Sequence, residues 1–143
     1  MTDAGESLTV LYDADCGFCR WTLATLLAWD RKARLRPVAI QSPESQALLR
    51  DVPPELRLAS AHAVTPEGRV YSGGAAAEHV ARMLPGGAPF AAAARAFERP
   101  VDRGYRWVAD HRTGLSRFVP ARAKDRAAAR IERHAARARV RVP

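Results

Sequence analysis

An α/β fold with a mixed sheet of about four strands is predicted, ordered βαβ then ββ hairpin, with flanking helices and additional C-terminal helices. Three observations predict it. Leu8 to Ile40 reads strand, helix, strand over the length of one βαβ unit. Two strand-forming runs bracket Pro66-Glu67-Gly68, and beyond Gly73-Gly74 only helix-forming segments follow, separated by proline and glycine.

Each element has a local reason. Leu8-Thr9-Val10-Leu11-Tyr12 is apolar and β-branched and stops at Asp13-Ala14-Asp15, as a buried strand entering a loop does. Cys16 then opens a helix whose apolar positions Phe18, Trp21, Leu23, Leu26 and Leu27 recur at helical spacing up to Asp30. Trp21 and Trp29 read as core or core-edge aromatics of that helix. Leu35 to Ile40 is a second strand, placed near a sheet edge by Pro37, which has no N–H to give.

Ser42-Pro43-Glu44-Ser45 starts a helix, with Ser42 as N-cap and Pro43 at the first position, and Pro53-Pro54 ends it. A helix or turn with Leu56 and Leu58 follows. Ala61 to Thr65 and Arg69 to Ser72 pair as an antiparallel hairpin. Ala75 to Leu84, Ala91 to Phe97 and Val101 to Asp110 are helices, the last two divided at Pro100. From Ala121 to Arg141 helix propensity is high, but Ile131 is the one large apolar side chain before Val140. This stretch is expected to face solvent or fray rather than build a core.

With 143 residues, 48% of them hydrophobic and 27% charged, the chain suits one globular body. The expected division is a flexible start over residues 1–7, a folded domain over 8–119 and a basic Ala/Arg-rich helix or tail over 120–143. No apolar run approaches the ~18 residues of a membrane span. The acidic, polar start lacks a secretory leader, so a cytoplasmic location is expected. The net charge of +8 is local: residues 117–143 carry nine Arg or Lys against two acids, while residues 1–116 carry 14 against 13. Nucleic-acid or anion binding is therefore a possibility for the tail alone, and the body has no need of it. Gly73-Gly74 and Gly86-Gly87 lack the spacing and the following Lys of a phosphate loop.

The two cysteines, Cys16 and Cys19, form a Cys-x-x-Cys pair. A tetrahedral zinc site needs two more ligands, and His62, His79, His111 and His134 are nowhere three to five residues apart, so no metal is expected. At a strand-to-helix junction the first sulfur lies over the helix N-terminus, where free amides and the dipole favour a thiolate, with Arg20 close in sequence. Cys16 is then the nucleophile. Cys19, one turn on, can attack a mixed disulfide from within and release the product, and this exchange needs no metal, flavin or nucleotide beyond a redox-active Cys16–Cys19 disulfide. Asp13 is expected to relay protons for Cys19, its alternative being a loop-bracing acid, while Asp15 faces water.

Tyr12-Asp13-Ala14-Asp15-Cys16-Gly17-Phe18-Cys19-Arg20-Trp21 resembles the D-x-x-C-x-x-C signature of the DCC family of thiol-disulfide oxidoreductases. Gly68 to Ala76 is similar to that family's hairpin and glycine turn, and Tyr105 to Arg112 to its late helix. The resemblance covers about residues 8 to 119 and implies a small, mostly bacterial, thioredoxin-like protein with Asp13, Cys16 and Cys19 as its functional set. Two departures stand out: Ala14 replaces a common glycine, and Leu58 to His62 lacks the proline that faces the thiols in thioredoxins. Ser60 and His62 are expected to line that face instead, with Gly17 and Phe18 completing the substrate contacts. Tyr105 and Val108 read as packing residues, and His111 and Arg112 as surface contacts.

The expected activity is thiol-disulfide exchange on protein or low-molecular-weight disulfides, with a thiol reductant as the second partner. Two other classes are a redox-responsive binding module without turnover and nucleic-acid or anion binding by the tail. The sequence carries no signal for an oligomeric state.

Overall fold

The computed structural model describes residues 7–141. Apart from Ser7, the flexible start expected at residues 1–7 lies outside them, as do residues 142–143 of the tail. The first half alternates: β1 (Leu8–Tyr12), α1 (Gly17–Trp29), β2 (Leu35–Ala39), α2 (Pro43–Leu48), α3 (Pro54–Arg57), then β3 (His62–Val64) and β4 (Val70–Ser72). Four helices follow: α4 (Gly74–Met83), α5 (Ala88–Ala96), α6 (Glu98–Ser116) and α7 (Ala121–Arg141).

The sheet runs β2-β1-β3-β4, with β1 and β2 parallel and the other pairs antiparallel. The predicted mixed α/β sheet of four strands is what forms among the described residues. β2 lies at the edge, where Pro37 opposite Val10 costs the sheet no inner ladder bond. Alternation along β1 divides the core in two. Leu8 and Val10 pack under α1, α4 and α7 with Leu23, Leu27, Val80 and Ile131, while Leu11 joins Val38, Ile40, Leu49 and Val64 on the other face.

Several boundaries differ from expectation for local reasons. Ser42 ends in the cap position but its hydroxyl donates back to Ala39 O at 2.7 Å, and that of Ser45 donates to Ile40 O and Ser42 O; neither caps the helix. The break between α5 and α6 falls at Phe97, not Pro100. Pro100 sits in the first turn of α6, where a missing N–H leaves no bond unmade. Gly87 opens α5 because a Cβ there would lie 1.9 Å from Ala81 O, so only glycine fits. Of the two places expected for Trp21 and Trp29, core or core edge, they take the edge, about two-fifths exposed (41% and 39%), with Trp29 donating its indole N–H to Pro85 O at 2.7 Å.

The largest departure is α7. Ala127, Ile131, His134 and Ala138 are all buried, and the helix lies along α1. Alanines let the two helices approach closely, so one isoleucine suffices where a wider interface would need several large side chains. His134 Nε2–H donates at 2.9 Å to Asp30 Oδ2, and the Asp30 carboxylate also accepts the N–H groups of Arg34 (3.0 Å) and Leu35 (2.8 Å). One buried acid thus closes α1, orders the turn into β2 and holds the last helix.

Candidate active site

The loop between β1 and α1 is tied down by polar contacts. The Asp15 N–H donates to Asp13 Oδ1 at 3.0 Å, an Asx-type turn. Gln41, two residues past β2, donates its amide to Asp13 Oδ1 at 2.7 Å and to Asp15 Oδ2 at 3.4 Å, and accepts the Ala14 N–H at 3.0 Å. Asp13 and the cysteines are therefore held in register by a residue from the neighbouring strand's end.

Cys16 is the N-cap of α1 in an extended conformation, its Sγ accepting the Cys19 N–H at 3.3 Å. Both thiols are half-buried and unbonded to each other. Burial pushes the Cys19 thiol up to about 12, reinforced by hydrogen bonding to and charge on Cys16 and opposed by Arg112. The pair is asymmetric: one sulfur caps the helix, the other keeps its proton. Gly17, between them, is buried, and a Cβ there would meet Lys124 Cε at 2.7 Å and Ser116 Oγ at 2.9 Å, so α6 and α7 roof the start of α1. Phe18 packs 6.2 Å from Trp21 by ring centroids.

Arg20 follows Cys16 by one turn, its N–H donating to Cys16 O at 3.1 Å; its charge opposes the rise that burial gives the Tyr12 hydroxyl's pKa, and its Nε is buried without a hydrogen-bond partner among the described residues. A cation that reaches Cys19 is Arg112 of α6, with Nη1 4.0 Å from Cys19 Sγ and Nη2 3.5 Å from Asp13 Oδ2. Tyr105, two helical turns earlier, accepts the Ala61 N–H at 2.7 Å and so fixes the segment leading into β3; burial raises its pKa.

A cleft of about 500 Å³ with an almost wholly apolar wall opens beside the pair, between α1, α4 and α6. Phe18, Cys19, Asp13, Ser60, Tyr105 and Arg112 border it. Asp13, Cys16 and Cys19 are brought together as the sequence suggests, and Ser60 lies on the cleft wall. His62 borders the cleft too, but its ring is not brought to the thiols. It is register partner to Leu11, whose side chain belongs to the second core, and directly opposed residues share a face. Both ring nitrogens are committed, Nε2 donating to Arg57 O at 2.8 Å and Nδ1 accepting from Ser72 Oγ at 2.7 Å.

Burial holds the His62 pKa below the ordinary 6.5. The unfolded chain therefore binds a proton that the folded one refuses, so this stability is complete above about pH 6.5 and is lost as pH falls towards the folded value. The urea midpoint is expected to drop below about pH 6.5, and His62→Gln, less stable throughout, to show a flatter profile over that range. Matching slopes in the two proteins would contradict this.

A family model for the DCC1-like thiol-disulfide oxidoreductases matches residues 10–118. The chain belongs to that family. Its membership joins the D-x-x-C-x-x-C loop, the thioredoxin-like sheet and the late helix carrying Arg112 in one matched span, and gives the chain a general thiol-disulfide oxidoreductase role. No curated protein and no solved structure gives a significant match. Among the described residues no three His, Cys, Asp or Glu side chains gather as for a metal ion, and no helix is long and apolar enough to cross a membrane.

Missing from the sequence reading were Gln41, Lys124 and the inward role of Arg112. The available signal was the family-like stretch Tyr105 to Arg112, in which Tyr105, Val108 and Arg112 lie on one helical face towards the cleft.

Proposed function

We propose that this family member is a dithiol oxidoreductase in which Cys16 attacks a disulfide and Cys19 resolves the mixed disulfide, with Asp13 assisting proton transfer. The observation that carries the reading is the placement of Cys16 Sγ at the N-cap of α1, 3.3 Å from the Cys19 N–H, with Cys19 one turn behind. A thiolate at Cys16 meets the amide end of the helix, while Cys19 waits protonated and does not compete for the substrate. Substrates are protein or low-molecular-weight disulfides, the second substrate is a thiol reductant, and no cofactor beyond the Cys16–Cys19 couple is required.

Trapping tests it. Cys19→Ser should accumulate mixed disulfides on Cys16 when the reduced protein meets glutathione disulfide or oxidised insulin, and mass spectrometry should find them on the Cys16 peptide. Wild-type protein should keep none, because Cys19 expels the partner. A variant that forms no adduct, or a wild-type protein that retains as much, would refute the dithiol mechanism.

A further inference from the structure

Arg112 reaches both groups on which the resolving step depends. Its Nη2 lies 3.5 Å from Asp13 Oδ2 and its Nη1 4.0 Å from Cys19 Sγ, and the two side chains of the ion pair are only 24% and 12% exposed. The guanidinium arrives from α6, 93 residues away in sequence, so the tertiary fold brings it there. Resting on the mechanism above, we propose that Arg112 enables resolution by stabilising the Cys19 thiolate as it forms and by fixing the Asp13 carboxylate as acceptor of its proton.

The groups facing Cys19 are few. Cys16, from its own helix, resists ionisation of Cys19 through hydrogen bonding and like charge, and Arg112, from α6, favours it. Arg112 is the positive member of this set. Because the resting thiol is half-buried, removing that cation takes away the positive charge that favours its ionised form.

Cys16 attack on a disulfide releases one substrate thiolate and leaves a Cys16 mixed disulfide. Cys19 then gives its proton to Asp13 and its sulfur attacks Cys16 Sγ. The Cys16–substrate bond breaks, the Cys16–Cys19 bond forms, and the departing thiolate takes the proton from Asp13. Two electrons pass from the dithiol to the substrate, and a thiol reductant restores the pair.

A charge within about 4–6 Å moves a pKa by about 1–3 units. Each unit lost costs about tenfold in thiolate but returns about threefold in nucleophilicity, so the net loss is about 3- to 30-fold in rate. The chromogenic disulfide of thionitrobenzoate separates the steps in the full chain, Cys16 releasing the first coloured thiol and Cys19 the second. Arg112→Gln is expected to slow the second release about 3- to 30-fold at neutral pH and move its pH profile upward, while the first keeps its rate. Arg112→Lys, which keeps the charge, should restore the wild-type profile and much of the rate. An unchanged second phase in Arg112→Gln overturns the proposal. So does equal slowing of both phases in both variants, the mark of a residue that only pins α6. A wild-type chain with no second release overturns the dithiol mechanism instead, and this proposal with it.

Discussion

Replacing Cys16 with serine is expected to bring reduction of insulin or of a glutathione mixed disulfide down to the protein-free background. A serine hydroxyl at the helix N-cap keeps the capping bond to the Cys19 N–H, so the loop and α1 should survive the change. What disappears is the nucleophile. Cys19 is a poor substitute, because burial, the largest cause of its raised pKa, does not depend on Cys16. A thiol whose pKa burial holds above the ordinary range has less thiolate at neutral pH and recovers only part of that loss in intrinsic reactivity. Turnover is thus expected to fall to the background even if Cys19 could reach a substrate, because the thiol left behind is the protonated one. Activity that persists in Cys16→Ser would remove this sulfur from the mechanism.

The same asymmetry should be visible by chemical labelling. With iodoacetamide at neutral pH, Cys16 is expected to be modified while Cys19 is spared, and labelling of Cys19 should climb about tenfold per pH unit from about pH 8 to about pH 10. An ordinary thiol levels off in that range. Peptide mass spectrometry of the two sites, which lie on neighbouring turns, reports both rates from one sample. Equal labelling at neutral pH would mean that burial does not keep the proton on the Cys19 thiol. Brief labelling of native protein against labelling in urea provides the internal comparison, because unfolding removes the burial that sets the difference.

The sheet was legible because its signals are local. Short, largely apolar runs at Leu8 to Tyr12 and Leu35 to Ala39, and a Pro-Glu-Gly turn between two short strands, each constrain their own neighbourhood. Asp13, Cys16 and Cys19 were legible for the same reason, lying within seven residues of chain. The groups that complete the site were not. Gln41 meets Asp13 across 28 residues, Tyr105 meets Ala61 across 44 and Arg112 meets Cys19 across 93, and no local pattern marks a polar side chain as the one a distant loop will use. His62 was read for its chemistry, whereas the pleat decided its face.

For α7 the pattern was present but faint. Ala127, Ile131, His134 and Ala138 recur at helical spacing, yet three of the four are small or polar, so a search for large apolar side chains passes over the stripe. Small residues at close range and one satisfied histidine do the work expected of leucines.

The family match ends at residue 118, three residues before α7 begins. A protein trimmed to that boundary would strip the cover from one flank of α1, leave the Asp30 carboxylate facing water and take Lys124 away from Gly17. Recombinant fragments cut there should aggregate or refold poorly, and a sulfur chemistry measured on them would report a damaged helix start rather than the intact enzyme.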